Sequence, residues 1–314
     1  MVRTCNHYLD SIHFKFVFDL FFDIRFVIFF LCLSLILLSP LYLHAEELLS
    51  IHAGLGSLQV RAKNDHFDSE SKNTQRHVGL GLEFEKDRYP LRISIQGRYF
   101  SSDEESEDWA SDTAGLMSHN QLDMHGATLD ALACYMPYQF SLGGNKASLK
   151  PYIGGGLIYR RFKFQRQGFS GSMIPLTGST QYYLGDQSII AIGVMPHMGL
   201  FLEVPKSDWE VCFSIGWAFL AANSNINYQV SFSGSEAIRY PFQLDTSGSA
   251  IMGSITLKKG WESFFLSFGL KWERTEIDDK SIFFYSDGVG NVFLPFPEME
   301  ITQMIGDISI SYLF

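Results

Sequence analysis

Beyond residue 45 the chain has no uncharged apolar run approaching the roughly 20 residues a membrane helix needs, so any later membrane crossing falls to strands. Ala, Lys and Glu, the usual builders of long helices, are nowhere concentrated, whereas Gly, Ser, Phe and Tyr are abundant. Basic residues are in deficit: 24 Lys and Arg stand against 34 Asp and Glu, a net charge of -10, which argues against a nucleic-acid partner. Cysteine is scarce as well. Of four, Cys5 and Cys32 precede residue 45, leaving Cys134 and Cys212, each without a CxxC partner or a neighbouring ligand. No metal and no cofactor are expected, and the two remaining cysteines are expected to be buried thiols.

What is present begins with an uncharged run from Phe26 to Leu43, preceded by Arg25 and followed by His44, Ala45, Glu46 and Glu47. This order reads as a secretory signal peptide cut after Ala45, with Pro40 breaking the helix ahead of the small residue. Residues 1–45 would then be a signal peptide with a long n-region, and 46–314 one domain. An uncleaved anchor is the rival, because 18 apolar residues just span a bilayer. The first 45 residues carry three basic side chains (Arg3, Lys15, Arg25) and three acidic ones (Asp10, Asp19, Asp23), so their removal leaves the net charge unchanged.

Period-two alternation between turn signals predicts ten strands, near 48–63, 75–86, 90–102, 121–136, 149–165, 187–204, 208–223, 240–258, 261–279 and 300–314. Trp209, Val211, Phe213, Ile215, Trp217 and Phe219 alternate with Glu210, Cys212, Ser214 and Gly216, and Phe264, Leu266, Phe268, Leu270 and Trp272 alternate with Ser267, Gly269 and Lys271. A soluble sandwich shows the same alternation. Connection lengths separate the two. Short links around Asp87–Arg88, Lys206–Ser207 and Lys259–Gly260 alternate with long polar ones at 64–74, 103–120, 166–186, 224–239 and 280–299, the ordering of periplasmic turns and surface loops. Segment 137–148 is the one turn that is too long. Trp209, Trp261, Tyr89 and Tyr312 fall near the turn side and Trp217, Trp272, Tyr99 and Tyr159 near the loop side, as two interfacial girdles require. The fold expected is all-β, an antiparallel up-and-down transmembrane β-barrel of about ten strands. Further strands hidden in 240–258 or in a long loop would raise the number to twelve.

The last strand places Ile308, Ile310, Tyr312 and Phe314 on one face and Asp307, Ser309 and Ser311 on the other. This resembles the C-terminal assembly signal of outer-membrane proteins. It implies the barrel-assembly machinery and outer-membrane lipid, including lipopolysaccharide, as partners, a monomer in the cell outer membrane, and both termini in the periplasm.

Local stretches resemble the omptin family of outer-membrane proteases. Glu105-Ser106-Glu107-Asp108-Trp109 is similar to the family's Asp-x-Asp-Trp, and Gly216-Trp217 with Asn223-Ser224-Asn225-Ile226-Asn227-Tyr228 is similar to the region bearing its Asp-x-His pair. Gly54-Leu55-Gly56-Ser57-Leu58 and Tyr312-Leu313-Phe314 are similar too. The resemblance implies ten strands and a water activated between a carboxylate pair and an Asp-His pair. Here Ser106 replaces the first Asp, Asp108 matches the second, and Asn225 and Asn227 replace the Asp-x-His. An amide cannot serve as a general base near neutral pH. A shifted register using Asp103, Glu105 or Glu107 with His119 or His125 would restore a site, and Asp108, Glu107 and His119 stand as the catalytic candidates, while the plain reading of 101–112 is a solvated acidic loop.

Three functional classes remain open: a non-catalytic barrel acting through its surface loops as adhesin, receptor or structural element; a narrow porin; and an omptin-type endopeptidase. Against the porin, small barrels are filled by side chains, and the lumen-facing Glu83, Arg92, Arg98, Asp130, His197, Glu203, Lys271, Glu273 and Asp307 are expected to pair into a plug. Arg161 and Lys163 take the outward parity near the loop end, a height at which cations meet lipid-A phosphates of lipopolysaccharide.

Overall fold

The computed structural model describes residues 46–64, 67–86, 90–111, 115–143, 147–175, 180–232, 236–286 and 290–314. Residues 1–45, on which the expected signal peptide falls, the turn at Asp87–Arg88 with Tyr89, and Asp112 lie outside them. The chain forms β1 (Glu46–Lys63), β2 (Asp68–Lys86), β3 (Leu91–Ser102), β4 (Glu105–Ser111), β5 (Gly115–Tyr135), β6 (Phe140–Leu142), β7 (Ala147–Gly171), β8 (Ile174–Pro175), β9 (Thr180–Val204), β10 (Trp209–Phe232), β11 (Ile238–Trp261), β12 (Phe264–Ile277), β13 (Lys280–Ser286), β14 (Gly290–Phe296) and β15 (Glu298–Leu313).

Ten of these close a ring in the order β1-β2-β3-β5-β7-β9-β10-β11-β12-β15, every neighbour antiparallel. β15 returns to β1 over its whole length, from Leu48 opposite Leu313 to Lys63 opposite Glu298, and the Phe314 N–H donates to the Glu47 carbonyl at 3.0 Å. Closure removes both edges, which a sheet in hydrocarbon requires. At the tight β9–β10 and β11–β12 turns, Asp208 and Glu262 hold φ at 52° each, left-handed backbone at non-glycine residues.

Outward apolar side chains form a continuous band. On β1 it includes Ile51 and Leu55, each 63% exposed, and on β10 it runs through Phe213, Ile215, Trp217 and Phe219. Exposed apolar area on this scale needs a lipid surround. The chain is thus an antiparallel up-and-down transmembrane β-barrel of ten strands.

Several strands run well past their expected ends toward the loop side: β2 begins at 68 rather than 75, β5 at 115 rather than 121, and β10 continues to 232 rather than 223. The physical reason is a reversal in the sense of the alternation. On β1 the apolar side chains point outward through Leu55, whereas from Leu58 onward they point inward, Leu58, Val60 and Ala62 being buried while Gln59 and Arg61 face out. β10 switches likewise at Phe219 and Leu220, and then sets buried Ile226, Tyr228 and Val230 against Asn223, Asn225 and Asn227. Above the bilayer the same barrel encloses an apolar core and wears a polar skin. Much of what the sequence suggested as long polar loops is therefore sheet.

Two additions complete it. β4 extends the wall by pairing with β2 and β5, and the β13–β14 hairpin lays Ile282, Leu294 and Phe296 into the upper core, where the Tyr228 hydroxyl donates to the Pro295 carbonyl at 2.9 Å. The long turn 137–148 contains β6, which pairs with the lower end of β7 and exposes Tyr138, Phe140 and Leu142.

The reversal makes the bilayer boundary measurable. Ile51→Arg should lower the stability of the refolded barrel in lipid by about 2–4 kcal/mol, the cost of a cation near the bilayer midplane, whereas Gln59→Arg on the same face should change it by less than about 0.5 kcal/mol. Urea titration in vesicles reads both, and equal effects would displace the boundary from Gly56–Ser57.

Candidate functional site

The membrane-level interior is polar, and its charges meet across the lumen. Arg160 on β7 is fully buried and holds Asp130 on neighbouring β5 at 2.5 Å and Glu273 on β12, four strands away, at 2.5 and 3.1 Å. Lys271 on β12 bridges both acids, 3.1 Å from Asp130 and 3.1 Å from Glu273. Nearer the turn end, Arg92 on β3 reaches Glu210 on β10 at 2.9 and 3.1 Å while also holding Glu85 on β2, and its guanidinium sits 4.1 Å over the Phe201 ring. Arg98 on β3 meets Asp307 on β15 at 3.3 Å.

Small residues make room for these groups. A Cβ on Gly269 would run into the Asp307 carboxylate, and one on Gly81 would meet Ser50 and His52. All nine lumen-facing groups expected from the sequence project inward, and eight of them, His197 excepted, join ion pairs: Glu83 lies 3.4 Å from Arg92, and Glu203 is held by Lys150 at 2.6 Å. Cys134 and Cys212 are free thiols facing the same interior, with Cys134 Sγ 3.4 Å from His197 Nε2.

Between the Arg160 cluster and the turn end lies a chamber of about 200 Å³, lined among others by His52, Arg98, Tyr152, His197 and Cys212. It reaches the short-turn end at Glu83, Arg92 and Glu210. Toward the loop end the interior fills with apolar side chains, including Leu58, Phe100, Phe162, Phe164, Tyr182, Leu220, Tyr228 and Ile301.

That upper core contains one fully buried ion pair. Glu107 on β4 receives two bonds from Arg166 on β7, at 2.6 and 3.1 Å, and a third from Asn120 at 3.0 Å, while Trp109 Nε1 donates to Asn120 at 2.6 Å. The acidic segment 101–112 is thus not uniformly solvated. Glu107 and Trp109 share the inward parity, Asp103 pairs with exposed Arg76 at 3.0 Å, and Gln167 donates to Glu104 at 2.8 Å. Asp123, on β5 above the apolar band, has its carboxyl pushed up by burial and by the nearby Glu104 charge.

The other catalytic candidates take the opposite parity. Asp108 and His119 are exposed and directly opposite in the β4–β5 ladder, on the face turned away from the core. The Ser170 hydroxyl lies 3.2 Å from His119 Nδ1 and 3.1 Å from Nε2, along the ring edge between them, whereas a nucleophile relay needs the two nitrogens facing different partners. Asn225 and Asn227 are exposed on the outer face of β10, so the omptin-like positions do not converge. Arg161 and Lys163 are half-buried, just above the alternation switch of β7, and the ladders set Lys163 in one cross-strand row with His125, Ser101 and Arg76 on β5, β3 and β2. Ile308, Ile310, Tyr312 and Phe314 all point outward and are exposed, with the Tyr312 ring 5.0 Å from both Phe264 and Phe314. Among the described residues no cluster of three metal-ligating side chains occurs.

No family model and no curated protein matches the sequence. Among solved structures, the outer membrane protease OmpT from Escherichia coli matches over 86% of this chain and 96% of its own, with a TM-score of 0.56 at 10% identity. The transport unit of the autotransporter AIDA-I from Escherichia coli covers 86% and 90% at 0.34 and 10%, and the translocator domain of the autotransporter NalP from Neisseria meningitidis 85% and 88% at 0.32 and 11%. At 10% identity the likeness to the protease structure is one of fold.

Arg160 is the test of the cross-lumen pairing. Arg160→Met leaves the buried Asp130 and Glu273 short of a cation and should cost about 3–5 kcal/mol, read as a lower urea midpoint. A loss under about 1 kcal/mol would mean that water, not Arg160, satisfies those carboxylates.

Proposed function

We propose that this chain is an outer-membrane protein of omptin-like plan that acts by presenting its loop-end surface, as adhesin, receptor or structural element, and neither cleaves peptides nor conducts ions. The observation carrying this reading is the obstructed interior: apolar side chains occupy the loop-end half, and ion pairs cross the lumen in the half below, around the chamber. A hydrated ion has no continuous aqueous path through such a barrel, and a peptide laid on its top meets no convergent acid and base.

In this reading residues 1–45 are a removed leader, and the assembly machinery reads Ile308, Ile310, Tyr312 and Phe314. Both termini and the short turns face the periplasm. Arg161 and Lys163 hold lipopolysaccharide phosphates at the rim, supported by their place just above the alternation switch of β7 and by the cross-strand row that joins Lys163 to Arg76. The second reading, a peptidase, draws only on the opposition of Asp108 and His119.

Refolded protein in planar bilayers should show no stable conductance above leak, and incubation with a peptide library should yield no cleavage beyond that of the Asp108→Asn variant. Stable channel openings, or cleavage abolished by Asp108→Asn, would overturn the reading. The Arg161→Ala, Lys163→Ala double variant should bind lipopolysaccharide several-fold more weakly than the wild type, and equal binding would remove the rim assignment.

A further inference from the structure

The chamber below the Arg160 cluster has a lining that the plug does not account for. Around it stand the hydroxyls of Ser50, Ser214, Ser254, Thr256, Ser309 and Ser311. Hydroxyls both donate and accept, so such a wall matches a ligand that does the same. Ser50 Oγ lies 2.8 Å from His52 Nε2 and Ser214 Oγ 2.6 Å from Ser254 Oγ, and a hydroxyl, with one donor and two acceptor positions, keeps capacity beyond a single contact.

The charges around the chamber point to a neutral occupant. Arg98 is matched by Asp307, Lys271 by Asp130 and Glu273, Arg92 by Glu85 and Glu210, and Lys258 approaches Glu83 at 3.6 Å. An ionic ligand would have to break one of these pairs or enter unpaired, and both are costly away from water. Size sets a second limit. At about 30 Å³ per water, the 200 Å³ space corresponds to roughly six waters, or one small organic molecule of the same bulk.

We propose that the chamber is a binding site for a small uncharged polyol, of glycerol to monosaccharide size, entering from the short-turn end. The hydroxyl wall hydrogen-bonds the ligand, and the ring of Tyr152, 5.6 Å from that of His197, supplies an apolar side. Entry passes Arg92 and the part-exposed Glu83 and Glu85.

Saturation-transfer NMR with glycerol and with glucose, on the refolded full barrel, tests this. Both probes should receive saturation from the wild-type protein, and the transfer should fall several-fold in Ser214→Phe, which fills the chamber, with a heat-modifiability gel verifying that the variant is folded. In parallel, either polyol should slow alkylation of Cys134 and Cys212 by N-ethylmaleimide in the wild type, a reading that needs no variant. No transfer to the wild-type barrel, equal transfer to the folded Ser214→Phe barrel, or alkylation indifferent to both polyols would each overturn the proposal in favour of a chamber filled only by water.

Discussion

A charged side chain that points into a narrow barrel has little water to turn to, and its partner must come from another strand, often from the far wall. Arg160 with Glu273, Lys271 with Asp130, and Arg92 with Glu210 each join strands four or five places apart in a ring of ten. These pairs fasten opposite walls to one another, and they constrain register. Slipping one strand by a single residue turns its whole inward set to the lipid, which for β12 would expose Lys271 and Glu273 to hydrocarbon. Gly269 and Gly81 belong to the same constraint, since larger residues there would displace Asp307, Ser50 and His52.

Above the bilayer the balance changes sign. Water now surrounds the wall, so the outward face turns polar and the apolar side chains move inside, where they exclude water and support the Glu107–Arg166 pair. Among the described residues the loop-end half has a packed apolar interior, into which the β13–β14 hairpin is tied by the Tyr228–Pro295 hydrogen bond. In the proposed reading this occupied interior serves neither a conducting lumen nor an open catalytic groove, and recognition falls to the outer skin and loop tips. The turn-side chamber is the exception, a polar space below the apolar core whose hydroxyls retain hydrogen-bonding capacity.

Much of this was legible in the residues. Alternation located all ten barrel strands, connection lengths ordered short turns against long extensions, and the inward charges were recognisable by parity. The strand ends were misjudged because the switch at Gly56–Ser57 on β1, or at Phe219–Leu220 on β10, looks like the end of a strand when it is the edge of the bilayer. Glu107 was grouped with a solvated acidic run although its parity with Trp109 already set it apart from Ser106 and Asp108. Cys134 and Cys212 were placed correctly as two interior thiols.

By itself the sequence determined the barrel, a strand number of about ten, the alternation of short and long connections and which faces meet lipid, because period-two alternation and turn chemistry are local properties of a strand. Only the tertiary structure decided which inward charge meets which, that Glu107 is locked to Arg166, that the loop-end half has a packed apolar interior, and that a chamber persists near the turns. Those outcomes depend on which strands face one another across the closed ring and at what height. Residues as far apart as Arg92 and Glu210, or Arg160 and Glu273, become neighbours only once the sheet has curled and β15 has joined β1.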